Sequence, residues 1–266
     1  MNKQSNTALM VGDIASALSR WRIWWLLGTG DIRQRYSRSK FGQFWITFSM
    51  AIFVVAIGSV YALLFNQPIT EFLPYIAANF VVWTLIAGIL GESAVVFVQA
   101  ETFLRQEPLP KSLFVMRSLV RNVVNFAHNI VIVPVVMLAM GQLPTLTWLL
   151  VPVGLLLIVL AGFFATLLLG VLCTRFRDLP QVVQNLVQIA FFITPVMWPA
   201  KSLRAQVAAI VDYNPFAALL NVASEPMRGI VPSTLSYGLS VLTIIVLAAL
   251  SLPLFARFRA RIVYWL

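Results

Sequence analysis

Six polar side chains, Ser118, Arg121, Asn122, Asn125, His128 and Asn129, recur at i, i+3, i+4, i+7, i+10 and i+11 inside an otherwise apolar run, which places them on one face of a helix. Such a face cannot point at lipid. It either hydrogen-bonds neighbouring helices, the common use of Asn and Ser in membranes, or flanks a hydrated path. Glu92 is the only acid well inside an apolar run, six residues from the end of its segment, or roughly 9 Å at about 1.5 Å per residue. Arg121 lies at a similar depth on the following segment, so a buried Glu92–Arg121 pair joining the two is expected. The alternative, a proton-coupling acid, is weaker because coupled carriers normally use more than one such group. His128 is the single histidine and is read as a packing residue rather than a metal ligand or proton relay.

Other chemistry is defined by what is missing. There is no G-x-x-x-x-G-K-[ST] loop, indeed no Gly-Lys dipeptide, so the chain cannot build a P-loop nucleotide site. H-E-x-x-H and G-x-S-x-G are absent, and the nine acids are scattered rather than clustered at one membrane face, as a multipass transferase would need. No catalytic or metal-ligating residue is assigned, and the chain is not expected to be an enzyme.

The elements that carry these residues are membrane spans. Of 266 residues 60% are hydrophobic and 11% charged, with a mean hydropathy of +0.89, whereas soluble domains are about a quarter charged. A lone cysteine, Cys173, leaves no partner for an intrachain disulfide. Six segments meet the length of about 20 apolar residues: 41–65, 72–98, 119–140, 146–173, 182–198 and 235–255. The fifth ends on Pro195 and Pro199 and is expected to be short or bent. A β-barrel is excluded because the runs are continuous rather than alternating. The fold class is therefore all-α, a single membrane domain over 1–266 with six spans.

Of the 19 Lys and Arg, all but Lys201, Arg204 and Arg228 fall before the first span, between spans two and three including the start of span three, between four and five, or in the tail. The positive-inside rule then puts both termini in the cytoplasm. That topology accounts for the net charge of +10 without nucleic acid. The first long apolar run begins at residue 41, so no cleavable signal peptide is expected.

Residues 14–27, rich in Trp and Arg, are too short to span and fit a helix lying on the cytoplasmic leaflet. Residues 201–232 are apolar but interrupted by Asp212, Asn214 and Pro215, which fits two short helices, 202–212 and 216–228, turning at Asn214-Pro215. They are either gate or re-entrant elements or helices resting on the outer surface. Between spans two and three, Glu101, Arg105 and Glu107 precede two prolines, which fits a short helix. Arg175, Arg177 and Asp178 mark a similar loop after span four. These loops are either plain solvated connections or docking knobs for a cytoplasmic partner.

The run DIRQRYSRSKFGQFW (Asp31 to Trp45), the TRFRDLPQVVQ loop leading to FFITPVMWP, the Asn214-Pro215-Phe216 corner and the closing RIVYWL together resemble the permease subunit of polysaccharide-exporting ABC type-2 transporters, the bacterial exporters of O-antigen, capsule and related glycans. The resemblance covers nearly the whole chain. It implies a homodimeric permease in the bacterial inner membrane, docked to two copies of a separate ATPase that binds ATP and Mg, with no cofactor in this chain. It assigns Glu101, Arg105, Glu107, Arg175, Arg177 and Asp178 to ATPase coupling, and Asp212, Asn214 and Pro215 to an external gate. The implied substrate is a lipid-linked polysaccharide. Aromatic faces suit sugar C–H groups, so Tyr36, Phe44, Trp45, Phe48, Phe191, Phe192 and Trp198 are candidates for its channel, against a lipid-facing or core role for any one of them. An exporter of small amphiphiles with the same architecture is the alternative.

Overall fold

The computed structural model describes residues 5–35, 42, 44–199 and 211–266, and among these every regular element is helical. In chain order they are α1 (Asn6–Ser19), α2 (Trp21–Arg35), α3 (Phe44–Leu64), α4 (Ile69–Ser93), α5 (Glu101–Gln106), α6 (Lys111–Asn129), α7 (Ile132–Ala139), α8 (Val151–Arg175), α9 (Leu179–Ile193), α10 (Pro215–Met227), α11 (Thr234–Phe258) and α12 (Ile262–Trp265). Five segments are long and apolar enough to cross a membrane: α3, α4, α6 with α7, α8 with the 3-10 turn Leu146–Leu150 before it, and α11 with its short C-terminal extension.

Lipid tails are as apolar as Leu, so burial alone does not drive these helices together; close packing and hydrogen bonding must. The centre is α4, buried over 67% of its apolar window, whereas α3 and α11 are each buried over only 17%. Around α4 pack α3, α6, α8, α9 and α10, while α8 pairs with α11 and α2 lies along α6. Pro74 lacks the N–H that would bond the carbonyl of Thr70, and the Gln142 side-chain amide donates to that carbonyl instead, at 2.8 Å.

The short helix α10 is held inside this packing rather than on its surface. Ala217, Leu220, Val222, Ala223 and Met227 are all buried, against α8, α11 and α4. Its first turn is capped by Asn214, whose Oδ1 accepts from the Phe216 N–H at 2.9 Å. Its last carbonyls receive side-chain donors: Thr147 Oγ1 to Pro226 O at 2.7 Å and Trp148 Nε1 to Met227 O at 3.0 Å. Loose helix ends at membrane depth need such partners, because lipid supplies none. Gly154 of α8 makes this close crossing possible, since any Cβ there would overlap the Val222 carbonyl.

Several boundaries differ from those read in the sequence. The interfacial segment 14–27 is not one helix but parts of α1 and α2, which meet at Arg20. Span two ends at Ser93 rather than residue 98, and turns carry the chain into α5. Span three begins at Lys111 rather than 119, because the amphipathic stretch ahead of the apolar run continues the same helix. The fifth segment, α9, has 15 residues and stops before both prolines, about 22 Å of helix against the ~30 Å hydrocarbon core. Among the described residues, five helices reach spanning length. Of the two expected short helices between spans five and six, 216–228 corresponds to α10, while 202–210 lies outside the described residues.

Gly154→Ala is expected to lower the thermal unfolding midpoint in detergent, since overpacking a close crossing costs about 1–3 kcal/mol. Gly238→Ala on α11, where an added Cβ meets nothing within 4 Å, serves as the control and should leave the midpoint unchanged or raise it.

Candidate functional site

Four charges from three helices meet at the arginine-rich end of the molecule. On α6 the i, i+1, i+4, i+5 spacing sets Arg117, Ser118, Arg121 and Asn122 on one face. Arg117 forks onto Asp31 of α2, Nε to Oδ2 at 2.8 Å and Nη2 to Oδ1 at 2.6 Å. Arg121 bridges both acids, with Nη1 2.8 Å from Asp31 Oδ2 and Nη2 2.8 Å from Glu92 Oε2. Glu92 also accepts from Ser118 Oγ at 2.9 Å and Asn122 Nδ2 at 2.8 Å, and Arg121 Nη2 reaches Gln99 Oε1 at 3.2 Å. Two cations balance two carboxylates, every side chain is 20% exposed or less, and bidentate geometry suits guanidinium and carboxylate. The close approach of α2 is set at Gly28, where a Cβ would lie 2.9 Å from the Arg117 carbonyl oxygen.

A second tie lies beside it. The N-terminus of α6 has Pro110 at its cap position and no local side-chain cap. Asp13 of α1, 5% exposed, supplies one from 98 residues away, accepting from Lys111 N–H at 3.1 Å and Ser112 N–H at 3.0 Å. A carboxylate at a helix N-terminus also meets the positive end of the helix dipole. The same group accepts from Ser112 Oγ at 2.6 Å and from Arg259 Nη1 at 3.0 Å, which joins the N-terminal helices, α6 and the end of α11.

The two charged loops reach this same end. On α5, Glu101 and Arg105 form an exposed i,i+4 pair at 2.9 Å, and Glu107 stands exposed at its C-cap. After α8, Arg175 lies over the rings of Phe176 at 5.8 Å and Trp265 at 5.5 Å, while Arg177 and Asp178 are exposed. Trp265 belongs to α12, which also touches α5, so the loops converge through the C-terminal helix.

At the opposite end a cavity of about 530 Å³ is lined by Glu71, Tyr75, Asn79, Asp212, Glu225 and Arg228, among others. The Arg228 guanidinium lies 4.9 Å from the Tyr75 ring centroid, and burial pulls its pKa below the ordinary arginine value, opposed by Tyr75 and Glu225. Tyr75 Oη lies 2.8 Å from Pro195 O and 2.7 Å from Trp198 O, pinning the chain after α9. Asp212 is exposed, and Asn214 also donates to Thr194 Oγ1 at 3.1 Å, so the corner before α10 is anchored to the end of α9. Two apolar cavities of about 280 and 530 Å³ lie among α4, α8, α9, α10 and α11, sharing Leu90, Leu169, Pro215 and Phe216.

The aromatic set divides in two. Phe44, Trp45 and Phe48 are exposed at the start of α3, with Trp45 and Phe48 5.8 Å apart. Phe191, Phe192 and Trp198 gather at the end of α9: Phe191 packs 5.7 Å from Trp83 and 5.4 Å from Phe192, and Trp198 Nε1 donates to Phe192 O at 3.2 Å. Tyr36 lies outside the described residues. His128 places Nδ1 2.7 Å from the Val124 carbonyl of its own helix.

Sequence reasoning missed Asp13, Arg259 and the partners of Asp31. It also counted Arg117 as a loop charge because span three was started too late. The available signal was spacing, since Arg117 and Arg121 are four apart on the face already carrying Ser118 and Asn122.

Residues 22–227 match the family described as ABC-2 type transporter. The chain is 23% identical over 239 residues to the O-antigen export system permease protein RfbA of Klebsiella pneumoniae, covering 87% of this chain and 90% of that protein. It is 24% identical over 192 residues to the protein of that name in Myxococcus xanthus, covering 71% and 74%.

Replacing Glu92 with Ala leaves Arg121 short of its counter-charge, and breaking such a buried pair costs about 3–5 kcal/mol. Arg105→Ala on the exposed pair should cost about 0–1 kcal/mol. Chemical denaturation of the two variants in one detergent checks the contrast, and equal losses would remove Glu92 from its structural role.

Proposed function

The chain belongs to the ABC-2 type transporter family, and on that premise we propose that it is the membrane permease of an exporter carrying a lipid-linked polysaccharide out across the bacterial inner membrane. The observation that carries this reading is its similarity over most of its length to proteins named as O-antigen export permeases. In this reading two copies form the conduit, and two ATPase chains, which hold ATP and Mg, dock at the arginine-rich cytoplasmic end.

The geometry supports a division of labour. Glu101, Arg105 and Glu107 on α5 and Arg175, Arg177 and Asp178 before α9 form the docking surface, brought to one end by α12. Phe44, Trp45 and Phe48 near the cytoplasmic face and Phe191, Phe192 and Trp198 near the outer face line the path, presenting rings to sugar C–H groups. Asp212, Asn214 and Pro215 form the outer gate, where Asn214 links the end of α9 to the start of α10. The lipid tail stays in the bilayer while the glycan follows a wetted route, which avoids the cost of burying unpaired hydroxyls in hydrocarbon.

Depleting the protein and labelling surface glycan before and after permeabilisation tests the substrate class. Glycan lost from the surface and accumulating inside is the expected result; unchanged surface glycan would point to a small-amphiphile exporter. Charge reversal at the docking surface, Asp178→Arg or Arg105→Glu, is expected to abolish export while membrane insertion stays normal. Unaltered export in both variants would remove these loops from the coupling path.

A further inference from the structure

We propose that the cluster of Asp31, Glu92, Arg117 and Arg121 makes α2, the start of α6 and the end of α4 a single coupling block, in which Arg117 is the positioning residue that ties α5 to α2. The inference rests on the transport reading above and names how a displacement of α5 reaches the first span.

The connection runs through two arginines one helical turn apart. Phe103 of α5 presents its ring to the Arg117 guanidinium at 5.4 Å and packs on Phe114 of α6 at 6.1 Å. Gln99, in the turn leading into α5, accepts from Arg121 at 3.2 Å. Two contacts of the α5 segment, from Phe103 and Gln99, therefore land on guanidinium groups that are already engaged elsewhere, because Arg117 and Arg121 each hold Asp31. Arg117 is fixed in two ways at once: its edge by the forked carboxylate and its face by the ring. An ammonium group cannot reproduce the fork.

The block has no slack with which to absorb motion internally. At Gly28 the two helices are so close that a Cβ would sit 2.9 Å from the Arg117 carbonyl oxygen and 3.0 Å from Val120 Cγ1. Sliding α6 past α2 would also separate Asp31 from two cations in a largely buried site. A push on α5 is thus passed to α2 and, through α6, to α3, which packs on α6. The exposed Glu101–Arg105 pair plays no part in this, because it closes within α5 itself.

The test uses the permease assembled with its ATPase partner in lipid vesicles, with lipid-linked polysaccharide extracted from the producing cells as the probe, and reads glycan moved per ATP hydrolysed. A purely structural lesion reduces the amount of intact complex and leaves that ratio unchanged; loss of coupling lowers it. Asp31→Asn and Arg117→Gln are each expected to lower the ratio about fivefold or more. Asp31→Glu should recover much of the loss, and the double variant Asp31→Asn/Arg117→Gln should lose less than the two single losses multiplied together, since both break the Asp31–Arg117 contact. Where Asp31→Asn does not assemble, Arg117→Lys and Phe103→Leu carry the same expectation. An unchanged ratio in these variants, or a double variant that multiplies the single losses, overturns the coupling block. Wild-type complex that hydrolyses ATP without moving glycan overturns the export reading, and this inference with it.

Discussion

Two arginines held between two carboxylates at the end of a membrane helix constrain everything around them. Charges in a low-dielectric site are tolerable only when paired and fully hydrogen-bonded, and here each partner comes from a different helix: Asp31 from α2, Glu92 from α4, Arg117 and Arg121 from α6. None of the three can shift along its axis without exposing an unpaired charge. The Asp13 cap extends the same logic, since it closes the otherwise uncapped start of α6 and engages Arg259 at the far end of the chain. The N-terminal helices are thus electrostatic parts of the membrane domain and not a leader draped over it, even though Trp21, Trp25 and Leu26 remain exposed for a lipid surface.

At the opposite end the governing constraint is the backbone. Pro74 frees a carbonyl that Gln142 takes up, and the two ends of α10 are closed by Asn214, Thr147 and Trp148. Each is a side-chain answer to a backbone group that lipid would leave unsatisfied. These bonds fix α10 between α8 and α11, with the glycine at 154 permitting the backbone approach. The two ends of the molecule are therefore secured differently, one by multivalent ion pairs and the other by neutral hydrogen bonds together with Arg228 over the Tyr75 ring. Those hydrogen bonds are individually weaker, at about 0.5–1.5 kcal/mol each, which makes that end the easier one to rearrange.

Hydropathy made the spans legible because lipid imposes a composition that needs no neighbours to be recognised. Helix ends were not legible for the same reason. The stretch Lys111 to Ser118 is mixed in polarity and sets no apolar signal, yet it is helical because Asp13 caps it and α2 covers it. Glu92 and Arg121 were readable as a pair from depth, whereas Asp31 and Arg117 were not, since contact across 86 residues leaves no local trace. The apolar run of the fifth segment continues past Ile193 to a tryptophan between two prolines, whereas the helix ends where the chain meets Thr194 and Pro195, which is the short form that those prolines predict. The aromatic candidates for the path share no local pattern either, and they separate into groups at the two ends of the membrane height.

The internal spaces argue about the route. The two cavities among α4, α8, α9, α10 and α11 are lined by Ile, Leu, Val, Ala, Pro and Phe with scarcely a polar group, and the polar cavity is confined to the end beyond them. A hydroxyl-rich chain crossing those apolar cavities would forfeit hydrogen bonds at a few kcal/mol for each unpaired group. A route through the middle of one copy is therefore unfavourable, while α3 and α11 leave most of their apolar surface uncovered. On the export reading proposed above, a conduit for sugar is better formed between copies of the chain, with exposed rings such as Phe44, Phe48 and Phe192 at its edge. The apolar cavities are suited to the opposite task of keeping hydrocarbon or a packed side chain where water should not go. Under the proposed export reading, that physical separation of wet and dry is what the chain has to maintain while the glycan passes.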